Sequence, residues 1–123
     1  MSTNINVMIV DDEREILKML EVALKKSEFV VKTYHNPIDA VRSYNGTNFD
    51  VVLLDIMMPE MDGIEVLEKL KEKNKDIKVV MMTAYSTLDK VLKSHKIGAD
   101  HYLLKPFKNL KEVEAKIKQV LAE

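Results

Sequence analysis

The stretch VVLLDIMMPEMDG, residues 51–63, drives four apolar residues into Asp55 and then turns at once through a proline and an Asp-Gly pair. An apolar run this short and unbroken fits a strand buried on both faces, the environment of a parallel sheet covered by helices on each side. INVMIV (5–10) and VVMM (79–82) repeat the pattern. VVKTY (30–34) and HYLL (101–104) are more polar, as edge strands are, which makes five strands.

Helical periodicity fills the gaps. Ile16, Leu20, Ala23 and Leu24 recur at three-to-four spacing within 13–26. Asn36 supplies a cap and Pro37 a first helical position for a helix over 37–45. Ile64, Leu67 and Leu70 mark a helix over 64–73, and Leu88, Val91 and Leu92 mark one over 87–96 that stops near Gly98. A last helix spans 108–122, carried by Leu110, Val113, Ile117, Val120 and Leu121. Five βα units in succession predict an α/β fold, a doubly wound parallel sheet of the flavodoxin-like order 2-1-3-4-5 with five helices on its two faces.

The bulk properties agree with one soluble domain over residues 1–123. Charges nearly balance, 19 basic against 20 acidic residues, which provides neither a polycation for nucleic acid nor a polybasic membrane patch. The chain has no cysteine, which excludes disulfides, thiolate nucleophiles and zinc–thiolate sites. The start MSTNINVMIV lacks the basic and apolar regions of a signal peptide, and no run approaches a membrane span, so a cytoplasmic location is expected.

Doubly wound sheets bind ligands at the carboxyl ends of their strands. Strand 1 ends in Asp11-Asp12, strand 3 in Asp55, strand 4 in Thr83-Ala84 and strand 5 in Lys105-Pro106. Together these place three carboxylates, a hydroxyl and an ammonium on one rim. Clustered carboxylates repel one another, and a divalent cation relieves that repulsion. Oxygen donors without histidine or thiol favour a hard ion such as Mg²⁺, with Mn²⁺ as a substitute. Thr83 and Lys105 offer the hydroxyl and point charge that a phosphoryl oxygen needs. One carboxylate then serves as a nucleophile toward phosphorus. Asp55, alone at the end of the most apolar strand, suits that role, and the adjacent Asp11 and Asp12 are better placed to hold metal.

The set IVDDE, LLDIMMPEMDG, MTAYS and GADHYLLKPF, in this order and spacing across nearly the whole chain, resembles the receiver domain of two-component response regulators. The resemblance implies that Asp55 is the phosphoacceptor. It implies that Asp12 binds Mg²⁺ directly, that Asp11 does so directly or through water, and that the Met57 carbonyl is a further ligand. It assigns Thr83 and Lys105 to the phosphoryl group, Tyr102 to a switch aromatic, and a cis peptide to Lys105–Pro106. It implies a sensor histidine kinase or a histidine phosphotransfer protein as donor, a downstream protein target, and loss of the phosphoryl group helped by the chain's own action. MTAY is also similar to single-domain receivers of sporulation-type phosphorelays.

Each residue has a plainer reading. Asp11-Asp12 can cap a helix, Asp62-Gly63 reads as turn chemistry, and Thr83 and Lys105 can be ordinary structural and surface residues. Joint placement at four strand ends is what these readings fail to explain. His35, His95 and His101 fit no compact metal motif and are expected at the surface. The eight methionines are expected to fill core gaps, with Met57, Met58 and Met61 also beside the site. Lys90, Lys93 and Lys96 are expected to form a solvated helix face. A haloacid-dehalogenase-type phosphotransferase would need an acid at position 57, where this chain has methionine. A flavodoxin-type cofactor binder would need a phosphate-cradling loop where it has DDERE.

Overall fold

A computed structural model describes residues 4–84 and 88–123. The strands are β1 (Asn6–Val10), β2 (Val30–Tyr34), β3 (Val51–Asp55), β4 (Lys78–Thr83) and β5 (His101–Leu104). The helices are α1 (Arg14–Lys26), α2 (Pro37–Ser43), α3 (Gly63–Lys73), α4 (Leu88–Ile97) and α5 (Leu110–Ala122). All neighbouring strands are parallel, in the order β2-β1-β3-β4-β5. The alternation of five strands with five helices is the one the apolar periodicity predicts, and the strand order is the flavodoxin-like one expected. Thr87, the expected first residue of the fourth helix, lies outside the described residues, as do Tyr85 and Ser86 of the MTAYS motif.

Strict alternation along each strand divides the core. Met8, Val10, Val52, Leu54, Val79 and Met81 pack against α2, α3 and α4. Val7, Ile9, Val51, Leu53, Val80 and Met82 pack against α1 and α5. Every residue of β3 is buried, as expected for the centre of a sheet covered on both faces. The amino ends of the strands are pinned by carboxylates: Asn6 N–H donates to Asp50 Oδ2 and Val79 N–H to Asp100 Oδ2, each at 2.8 Å.

Two local expectations change. Asp62 is the N-cap of α3 rather than a turn acid, and its Oδ1 accepts the Glu65 N–H at 2.9 Å. The methionines are not all core filler: Met8, Met81 and Met82 are fully buried, but Met19 and Met57 are exposed. Asn36 caps α2 as expected, accepting from the Ile38 N–H. His35 and His95 are exposed and His101 is half-buried.

Candidate functional site

Parallel strands bring all their carboxyl ends to one edge, and backbone bonds extend the ladder just past those ends. Asp11 N–H donates to the Tyr34 carbonyl at 3.1 Å, Ile56 N–H to Met82 at 3.2 Å and Lys105 N–H to Thr83 at 2.7 Å. The residues that follow β1, β3 and β5 are therefore locked to a neighbouring strand before their side chains make any contact.

There the acids meet. Carboxylate oxygens of Asp11, Asp12, Glu13 and Asp55 lie within 4.8 Å of one another. Lys105 Nζ sits among them, 2.6 Å from Asp11 Oδ2, 3.3 Å from Glu13 Oε1 and 3.4 Å from Asp55 Oδ1. Asp11 is fully buried and its other oxygen accepts the Glu13 N–H at 2.9 Å. That bond, two residues away, is local turn chemistry. Glu13 itself is the N-cap residue of α1 and makes no side-chain cap bond. The helix-cap reading of Asp11-Asp12 therefore gives way to a carboxylate cluster.

Electrostatics follow from burial. Desolvation, with Asp11's negative charge adding to it, pushes the Asp55 carboxyl up from 3.8 to about 7 despite Lys105. Burial also raises Asp11, against the opposing pull of Lys105 and the Glu13 N–H. Burial alone pulls Lys105 down, but its hydrogen bond to Asp11 and the charges of Asp11, Asp55 and Glu13 win and hold it above its usual value. The site is a pocket of excess negative charge built only of hard oxygen donors. That donor set suits Mg²⁺ or Mn²⁺ and offers nothing to a soft metal. Among the described residues, no histidine joins the cluster.

Thr83 is buried at the end of β4, and its hydroxyl donates to the Ala84 carbonyl at 3.0 Å. Tyr102 lies on the edge strand β5 and is 46% exposed. Met57 is exposed in the turn after Asp55. The Lys105–Pro106 peptide bond is cis. Two residues of the site escaped the sequence reading. Glu13 was the third acid of IVDDE, and only the approach of Lys105 across 92 positions shows its place. Gly63 packs against the acid's own backbone: a Cβ there would lie 2.2 Å from the Asp55 carbonyl oxygen.

Gly63→Ala is expected to cost about 1–3 kcal/mol, because the clash is with main chain that cannot rotate away. It should also blunt any rise in melting temperature on adding Mg²⁺, since the displaced backbone carries Asp55. Thermal unfolding with and without the cation checks both effects, and an unchanged variant would refute the close approach.

Comparison with known proteins gives a consistent picture. Residues 7–118 match the family model described as the response regulator receiver domain. The chain is 38% identical over 121 residues to a probable transcriptional regulator, ycf27, of Guillardia theta, covering 98% of this chain and 47% of that protein. It is 35% identical to the alkaline phosphatase synthesis transcriptional regulatory protein PhoP of Bacillus subtilis, covering 96% and 49%. The chain thus spans about half the length of these relatives. A CheY-like receiver domain from Methanospirillum hungatei superposes with a TM-score of 0.91 at 30% identity, covering 98% of this chain and 95% of that one. The chemotaxis protein CheY4 of Vibrio cholerae gives 0.88 at 26% identity, covering 96% and 99%.

Proposed function

The chain belongs to the response regulator receiver family of two-component signalling, and on that premise we propose that Asp55 accepts a phosphoryl group in a reaction supported by a divalent cation. The observation that carries the proposal is the meeting of Asp11, Asp12, Asp55 and Lys105 in one pocket at the strand ends. An Asp55 carboxylate oxygen attacks phosphorus and the bond from phosphorus to the donor's imidazole nitrogen breaks. The imidazole keeps the electron pair and takes up a proton. Asp11, Asp12, Asp55 and the Met57 carbonyl would hold the cation, Mg²⁺ before Mn²⁺. When bound, it supplies positive charge to the phosphoryl oxygens. Lys105 turns from Asp11 toward the new phosphoryl group. Thr83 leaves the Ala84 carbonyl and donates to the same group.

The donor is a sensor histidine kinase or a histidine phosphotransfer protein. A mostly apolar recess of about 370 Å³ beside Lys105, lined by Ile16, Met19, Pro106, Phe107 and Leu110, supports docking there. The whole chain acts as one receiver domain. Movement of Thr83 frees space for Tyr102 to turn inward from its exposed position, which alters the surface of α4, β5 and α5 for a downstream protein. The chain catalyses its own phosphorylation and the hydrolysis of its own aspartyl phosphate, and so times a signal rather than turning over a substrate. No helix among the described residues is long and apolar enough to cross a membrane, and the near-neutral charge favours protein partners over nucleic acid.

Incubation with acetyl phosphate followed by intact-mass measurement tests the proposal. One phosphoryl group is expected with Mg²⁺ present. None is expected with chelator or in Asp55→Asn, and addition without metal would overturn the cation's role. The midpoint of the Mg²⁺-dependent rise in melting temperature should move more than about tenfold in Asp12→Ala, as loss of a direct ligand does.

A further inference from the structure

Lys105 has three anionic partners of unequal kind. Asp11 is fully buried at 2.6 Å, and the Asp55 side chain is 7% exposed at 3.4 Å. The Glu13 side chain, at 3.3 Å, is 62% exposed and reaches the ammonium from the solvent side. Although Glu13 occupies the N-cap position of α1, its carboxylate does no capping. Its backbone N–H meanwhile holds Asp11. We infer that Glu13 is a positioning residue that restrains Lys105 on the α1 side of the pocket and slows phosphoryl acceptance.

The argument rests on the phosphoacceptor role of Asp55 proposed above. An ammonium has three donors and must give one to the arriving phosphoryl oxygen. The inner acids, Asp11 and Asp55, would share their charge with a bound cation, which weakens their hold on Lys105. Glu13 has an oxygen within 4.8 Å of theirs, but its side chain is 62% exposed, so solvent screens it from the cation and it becomes the ammonium's remaining competitor. It also adds a negative charge in the path of an anionic donor. A partly exposed pair of this kind changes a rate by no more than about fivefold.

Two variants separate contact from charge. Glu13→Gln removes the charge. Glu13→Asp keeps the charge but shortens the side chain by one methylene, which draws the carboxylate back from Lys105, and aspartate is a favoured N-cap residue, which protects folding. The readout is the initial rate of mass gain with acetyl phosphate at saturating Mg²⁺. Both variants are expected to react about two- to fivefold faster than the parent. The gain should vanish when Lys105→Ala is added, because the effect acts through that ammonium. The Mg²⁺ midpoint should move less than about threefold, unlike that of a direct ligand. A fast Gln variant beside a parent-like Asp variant would reduce the effect to charge alone and overturn the positioning role. So would unchanged or slower rates in both, or a gain that persists without Lys105. If the parent itself takes up no phosphoryl group, the phosphoacceptor reading fails with it; if the parent reacts and the variants match it, only the role of Glu13 fails.

Discussion

Asp55→Asn raises the melting temperature of the metal-free protein, and raises it more at pH 8 than at pH 5. Burial and the neighbouring Asp11 push the folded-state carboxyl from 3.8 to about 7. The folded protein therefore binds this proton more tightly than the unfolded chain does. The stability contributed by protonated Asp55 is complete below its unfolded value of 3.8, and is lost as pH rises toward about 7. Above that, burying the charge is a standing penalty. At about 1.4 kcal/mol per pH unit, the gap amounts to at most about 4 kcal/mol at pH 8. Asparagine keeps the shape and removes the charge, so a gain of up to about 15 °C is expected at pH 8 for a chain of this size. At pH 5, little more than one pH unit above the unfolded value, the gain should fall to less than half. Saturating Mg²⁺ should narrow it from the other side, because the cation stabilises only the carboxylate form. Thermal melts in chelator across this pH range measure the effect. A variant that melts with or below the parent at pH 8 would show that the pocket does not penalise the charge.

Lys105→Ala has the opposite sign. It strips the fully buried Asp11 of its ammonium partner and leaves it facing Asp55. Breaking a buried pair from one side costs about 3–5 kcal/mol, because the remaining charge is uncompensated. The loss should be largest at pH 8 and shrink toward pH 5 as Asp55 takes up its proton and stops repelling Asp11. The lysine's own titration does not intervene, because its folded value is raised and its stabilisation is complete below 10.5. Adding Asp55→Asn to Lys105→Ala should recover much of the loss, and so should Mg²⁺. Urea denaturation at two pH values, with and without the cation, reads all of these. A loss equal at pH 5 and pH 8 would mean that Lys105 contributes packing rather than charge.

Much of this architecture is legible in the sequence because the signals are redundant. Val51–Leu54 can only be a doubly buried strand, and once five such units alternate with helices, parallel topology brings Asp11, Asp55 and Lys105 to one edge. Boundaries shift by a residue or two, since β3 includes Asp55 itself and β4 extends to Thr83. What is not legible depends on distant approaches. Asp62-Gly63 has the composition of a turn, but its glycine is required by the Asp55 carbonyl that α3 rests against, and nothing local announces that contact. Glu13 looks like one more acid in DDERE until Lys105, far along the chain, sits beside it. The exposure of Met19 and Met57 is equally invisible, because methionine serves core and surface alike.

The central claim concerns which carboxylate carries the phosphoryl group, and reductive trapping tests it most directly. Borohydride converts an aspartyl phosphate to homoserine, which peptide mass spectrometry then locates. After reaction with acetyl phosphate and Mg²⁺, homoserine is predicted at position 55 alone. Homoserine at Asp11 or Asp12, the corresponding reduction product at Glu13, or no trapped residue in protein that has gained phosphoryl mass, would contradict it.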